Sequence, residues 1–166
     1  MNEAIWLLSF LTLQRLTELL IARHNTKKLL AKGAREIGAD HYIFMILLHG
    51  SWLVLLWILG RENEVSYFWL ALFIALQLGR LWVLATLKSR WTTRILILDG
   101  ETLVNSGPFR FFKHPNYLVV IGEIAVVPLA LGLPWMALIY SILNGWMLYV
   151  RISVEIKALA GGTTGI

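Results

Sequence analysis

Six ionisable side chains lie inside or at the edge of long apolar runs: Arg15 and Glu18, Arg80, Glu123, and Arg151 with Glu155. An ion in a hydrocarbon layer costs about 2.5 to 3.5 kcal/mol on insertion scales, so each of these needs a partner or a task. Arg15 and Glu18 are spaced i,i+3, and Arg151 and Glu155 i,i+4, which puts each pair on one helix face. A guanidinium so placed can hold an anionic oxygen through its planar fork, and a carboxylate beside it can take a proton. His49, Gln77 and Asn144 add polar groups able to line the same interior. The competing reading is structural: Arg15 and Glu18 neutralise each other, while Arg80 and Glu123 clamp helices together or reach for the interface. Arg151 and Glu155 differ in lying at the end of the last apolar run, where a long basic loop can fold over them, and that placement favours a site.

The loop, residues 88 to 116, carries more than an anchor needs. It opens with Lys88, Ser89, Arg90, Trp91, Thr92, Thr93 and Arg94, continues through apolar Ile95 to Leu98 and a turn at Asp99 and Gly100, and closes with Gly107-Pro108-Phe109-Arg110-Phe111-Phe112-Lys113-His114-Pro115-Asn116-Tyr117. An aromatic belt with basic anchors at the headgroup level accounts for Trp91, Phe111 and Phe112. It does not call for a histidine before proline at the mouth of a span. The chain has no cysteine, which excludes disulfides, thiolate nucleophiles and Cys metal sites. It has none of the GxGxxG, P-loop, HExxH or GxSxG fingerprints. No metal is called for.

The elements that must position these groups follow from composition. Of 166 residues, 58% are hydrophobic and only 15% charged, with a mean hydropathy of +0.68, against about 25% charged in soluble domains. This composition is that of an integral membrane protein. With about 20 apolar residues per span, the runs at 4–22, 43–60, 66–87, 117–133 and 135–156 make an all-α, polytopic bundle of about five transmembrane helices. The last two are separated only by Gly132, Leu133 and Pro134 and form a hairpin. No large extramembrane domain fits beside them, so residues 1–166 read as one domain, with Ala160 to Ile166 as a frayed tail. The net charge of +5 sits mostly in the loops 23–42 and 88–116, where anionic lipid headgroups, rather than nucleic acid, are the expected partner. The positive-inside rule puts both loops and the C-terminus in the cytoplasm and the N-terminus outside.

The run Gly107 to Tyr117 resembles the GPYRxxRHPxY signature of the isoprenylcysteine carboxyl methyltransferase family of integral membrane enzymes. Arg151-Ile152-Ser153-Val154-Glu155 is similar to that family's RIxxE at the last span, and Arg80-Leu81-Trp82 precedes the loop as in the family; together these cover about residues 77 to 159. The first half resembles short bacterial members in Glu18, Arg35, Glu36, His41 and His49. One departure is Ile156, where the family usually has a second glutamate. The resemblance implies S-adenosylmethionine as cofactor, bound on the cytoplasmic side of what reads as a bacterial inner membrane. Carried over by position, His114, Pro115 and Tyr117 belong to the cofactor pocket and Arg151 with Glu155 to the reaction centre, while Arg80, Trp82 and Glu123 are the expected substrate-binding residues.

In such an enzyme no covalent residue is needed, because the cofactor supplies the electrophile and the protein aligns it. The expected acceptor is a lipophilic small molecule with a carboxylate or an enol or phenol oxygen. Long-chain alkylpyrones or alkylresorcinols are preferred, with an isoprenylcysteine as the other choice. Two further classes stay open at this level. Membrane sterol reductases share a similar C-terminal region and use NADPH, though they are much longer. A small transporter subunit could use the buried ions as a conduction path.

Overall fold

The computed structural model describes residues 2–98, 100, 102 and 104–162, with side chains described as far as residue 158. It is an all-α membrane bundle of five helices: α1 (Glu3–Ala31), α2 (Ala39–Gly60), α3 (Tyr67–Leu87), α4 (Pro115–Ala130) and α5 (Pro134–Gly162). Helices α1, α2, α3 and α5 are long and apolar enough to cross a membrane; α4, with 16 residues, is a shorter apolar helix. The fourth span expected at 117–133 thus begins earlier, where Pro115 occupies the first helical position with its missing N–H at no cost. It ends earlier too, at Ala130, and the amides of Leu131 and Leu133 return to the Pro128 carbonyl at 3.1 and 2.8 Å. The α4–α5 hairpin forms as the Gly132-Leu133-Pro134 link predicts.

Two corrections concern the basic loops. Helix α1 runs on to Ala31, well past the expected end of the first span at residue 22. Its polar last turns are anchored by Asn25, whose amide donates to the carbonyls of Lys88 and Trp91 at 3.1 and 2.9 Å. The two loops are also joined by a short antiparallel sheet of β1 (Arg35–Ile37) and β2 (Ile95–Ile97), with Glu36 opposite Leu96. Glu36 clamps this sheet by accepting from Arg94 Nη1 on both oxygens, at 2.8 and 2.7 Å. That bond holds the Arg94 guanidinium above its ordinary pKa, and Arg94 stacks over the Tyr42 ring. Helix α5 continues through Gly162, so the tail expected to fray from Ala160 starts as helix. Residues 163–166, and Asp99 of the expected turn, lie outside the described residues.

The apolar core fills one end of the bundle. Ala4, Leu7, Leu8 and Leu11 of α1 pack there with Trp52 and Leu56 of α2, Ile124, Val127 and Ala130 of α4, and Met136 and Tyr140 of α5. Helix α4 lies between α3 and α5, and it approaches α3 closely because Gly122 has no side chain: a Cβ there would stand 2.7 Å from Leu76. The end nearer the β1–β2 sheet is not filled in this way. It encloses a cavity.

Candidate active site

The cavity has a volume of about 1220 Å³ and is lined by all five helices and by the loop between α3 and α4. On α5 the lining residues Asn144, Leu148, Arg151 and Glu155 recur at helical spacing, so one face of that helix forms a continuous wall. Arg151 is 6% exposed and engaged on every nitrogen. Its Nε donates to the Tyr117 hydroxyl at 3.0 Å, Nη2 to the Thr93 carbonyl at 2.7 Å, and Nη1 to Met45 Sδ at 3.3 Å. The Tyr117 hydroxyl in turn donates to Glu155 Oε2 at 3.0 Å. Arg151 and Glu155, which their spacing puts on one helix face, are therefore bridged by a phenol from α4. His114 stacks on the Tyr117 ring with centroids 5.2 Å apart, and its Nδ1 stands 3.9 Å from Glu155 Oε2.

This end of the cavity is held by the loop. Pro115 starts α4 and is buried in the wall, with His114 as the residue before it, so the Pro fixes where the imidazole enters. Gly107 takes a positive φ of 57° and packs so close to α3 that a Cβ would meet Thr86 Oγ1. Trp91, expected in the headgroup belt, is instead 3% exposed beside Ala22 and Val83, whereas Phe111 and Phe112 are exposed as a belt requires. The indole Nε1 of Trp91 and the Oδ1 of Asn116 are buried at the cavity wall with no hydrogen-bond partner among the described residues.

Deeper in the bundle, four of the intramembrane ions close on one another. Glu18 Oε2 accepts from Arg15 at 3.0 Å and from Arg80 at 3.2 Å. Glu123 accepts from Arg15 Nη2 at 2.7 Å, from Gln77 at 2.6 Å, and from Arg80 through both Nε and Nη2. Two cations and two anions from α1, α3 and α4 thus neutralise each other, with Glu123 fully buried. Arg15, Glu18 and Arg80 also line the cavity, but Glu123 does not.

Among the residues singled out from sequence, His114, Pro115, Tyr117, Arg151 and Glu155 are brought to one wall. Arg80 and Glu123 are brought together in the ionic cluster. Trp82 lies apart from both: it is 49% exposed on the outer surface of α3, against Phe111. Thr93, Met45 and Asn116 were not singled out as site residues, and Trp91 was read only as a belt residue. The path of the loop places Thr93 and Trp91, and the packing of α2 and the start of α4 place Met45 and Asn116, none of which has a local pattern. Among the described residues no group of three or more His, Cys, Asp or Glu side chains stands close enough to hold a metal ion.

Four bilayer-length helices make the chain an integral membrane protein. The family model for isoprenylcysteine carboxyl methyltransferases matches residues 69–161, more than half of the chain, and the chain belongs to that family. Membership supports a membrane methyltransferase, in a family that generally uses S-adenosylmethionine. The chain is similar to uncharacterized protein YpbQ of Bacillus subtilis, with 39% identity over 93% of this chain and 95% of that protein. It is also similar to an uncharacterized protein of Haemophilus influenzae, 28% identical over 88% of each. No solved structure matches the chain significantly.

Proposed function

We propose that the protein is an S-adenosylmethionine-dependent O-methyltransferase acting on a lipophilic acceptor drawn from the bilayer, with its site at the cytoplasmic face of a bacterial inner membrane. The observation that carries this reading is the Arg151–Tyr117–Glu155 relay, set where the polar loop meets the apolar cavity. At about 1220 Å³ the cavity exceeds the roughly 300 to 1,000 Å³ of an ordinary single-ligand pocket, which leaves room for a cofactor and an acceptor together.

S-adenosylmethionine, when bound, supplies a methyl group on a sulfonium, ready for in-line attack. The residues at the loop end fit such a group chemically. His114 and Tyr117 offer aromatic faces, Glu155 a carboxylate for a cation, and Trp91 and Asn116 a buried donor and acceptor. These residues, with Pro115, would hold it. Arg151 binds and orients the accepting oxygen, its own position fixed by Thr93, Tyr117 and Met45. Glu155 takes the proton when the acceptor is an enol or phenol; a carboxylate acceptor has no proton to give up. The Tyr117 hydroxyl keeps both charges in register, and the apolar wall excludes water. Long-chain alkylpyrones or alkylresorcinols fit the apolar wall, as does the prenyl chain of an isoprenylcysteine.

Calorimetry with S-adenosylhomocysteine in detergent tests the cofactor, and radiolabelled methyl transfer into lipid extracts tests the reaction. Micromolar binding with label entering a lipid is the expected result. Binding of NADPH in its place overturns the reading in favour of a reductase, and binding of neither ligand overturns it in favour of a carrier.

A further inference from the structure

While Arg15, Glu18, His49 and Arg80 line the cavity from other helices, its wall on α5 is apolar below Arg151 for about two helical turns, through Leu148 and Met147, and then turns polar again. Asn144 of α5 and Trp52 of α2 both line the cavity there, each 1% exposed. Neither Asn144 Oδ1 nor Trp52 Nε1 has a hydrogen-bond partner among the described residues. Two contacts between α2 and α5 set the register of this wall. The Tyr140 hydroxyl donates to Ser51, the residue next to Trp52, at 2.9 Å, one helical turn before Asn144, and Arg151 reaches Met45 further along both helices. Residues 144 and 52 therefore belong to the same stretch of the antiparallel α2–α5 wall. A buried acceptor and a buried donor left unmet each forfeit a hydrogen bond that water gives freely, so an apolar lining would be the more stable choice unless a ligand meets them.

We infer that Asn144 and Trp52 form a second polar subsite, which recognises a hydroxyl in the chain of the lipophilic acceptor. A single hydroxyl both donates, as Asn144 Oδ1 requires, and accepts, as Trp52 Nε1 requires, and it is the smallest such group that an alkyl chain can carry. Asn144 lies seven residues before Arg151 on one helix, about 10 Å along its axis at 1.5 Å per residue. Resting on the reading of Arg151 as the holder of the accepting oxygen, the subsite measures the acceptor: its polar head at Arg151 and its hydroxyl about 10 Å further down the chain. A plain alkyl or prenyl chain of the same length leaves both buried groups unpaired. It is bound less well for that reason, and not for want of apolar contact.

Octadecanoic acid and its positional hydroxy isomers are the probes, since each places a carboxylate at Arg151 and a hydroxyl at a graded depth. Their affinities for the purified protein in detergent are measured by calorimetry and by thermal shift. The expected result is one isomer binding about 10- to 100-fold more tightly than the unhydroxylated acid. That preference should vanish in Asn144→Leu, which replaces the amide with an apolar chain of similar size, and in Trp52→Phe, which keeps the aromatic packing. If one variant fails to fold, the other still decides. Equal affinity across the series, no measurable binding by any of the acids, or a preference that survives in the folded variants overturns the subsite. Methyl transfer from S-adenosylmethionine to the same acids is followed in parallel. A positional preference in binding without transfer to any acid keeps the subsite and overturns the methyltransferase reading instead.

Discussion

Arg151 makes three different bonds with its three nitrogens, and only a guanidinium has the geometry to do so. Arg151→Lys keeps the charge and loses the fork, so turnover should fall by about 10²-fold while affinity for S-adenosylhomocysteine changes far less. Equal losses in both would place Arg151 in cofactor binding. Glu155→Gln separates the acceptors: a hydroxyl acceptor that needs a base loses about 10² to 10⁴ in rate, whereas a carboxylate acceptor loses less. Arg151 and Glu155 were legible in the sequence as an i,i+4 pair of ions in an apolar helix, whereas His114, Pro115 and Tyr117 were legible only through the family signature they resemble, since a single histidine at a span mouth is weak evidence by itself. What was not legible is the Tyr117 hydroxyl standing between Arg151 and Glu155. That bridge depends on how α4 is rotated against α5, and no spacing within either helix reports the rotation.

The four ions at the centre of the bundle belong to the scale of helices. Arg15 and Glu18 read as a self-neutralising pair, and Arg80 and Glu123 as single charges, because only the packing of α1, α3 and α4 brings them to one place. Removing one member of a buried cluster strands its partners: Glu123→Ala leaves Arg15 and Arg80 short of a counter-charge and should cost about 3 to 5 kcal/mol of stability. Gln77→Ala removes a single neutral donor and should cost about 1 kcal/mol. Thermal unfolding in detergent measures both, and activity should persist in the Glu123→Ala protein that remains folded. Similar small losses for the two would show that the cluster carries little of the packing between α1, α3 and α4. The helices themselves were visible as apolar runs of membrane length. The last turns of α1 and the β1–β2 sheet were not: a polar helix outside the bilayer has no hydropathy signature, and strands of three residues separated by two whole helices leave no periodicity to read.

At the scale of the molecule, the sheet and the Glu36–Arg94 clamp gather both basic loops onto one end of the bundle, so they share one side of the membrane. The positive-inside rule predicts that this side is the cytoplasm. Because the chain has no cysteine, single cysteines introduced at the exposed Lys28 and Arg110, one in each basic segment and neither in the clamp, are clean reporters. Both should resist an impermeant thiol reagent in intact cells and react once the membrane is opened. Labelling of both in intact cells would turn the molecule over and put the cavity mouth on the outer face.

Helix α4 carries His114 and Tyr117 at its start and presents Leu118 and Ile121 to lipid, yet its 16 residues reach only about 24 Å, against roughly 30 Å of hydrocarbon. A bilayer that thins beside it by about 6 Å would match its length, and one that does not would leave the end carrying His114 and Tyr117 below the plane of the phosphates. On the proposed reading, membrane thickness is then an expected input to turnover. In nanodiscs of phospholipids with progressively longer acyl chains, turnover should pass through a maximum in the thinner bilayers and decline as they thicken, with the fold unchanged. A flat response would mean that neighbouring helices shield α4 from the lipid. Such a thinning would also shorten the climb for an amphiphile leaving the leaflet, so that, for the acceptor proposed above, a helix too short to span its membrane would act as a lowered threshold.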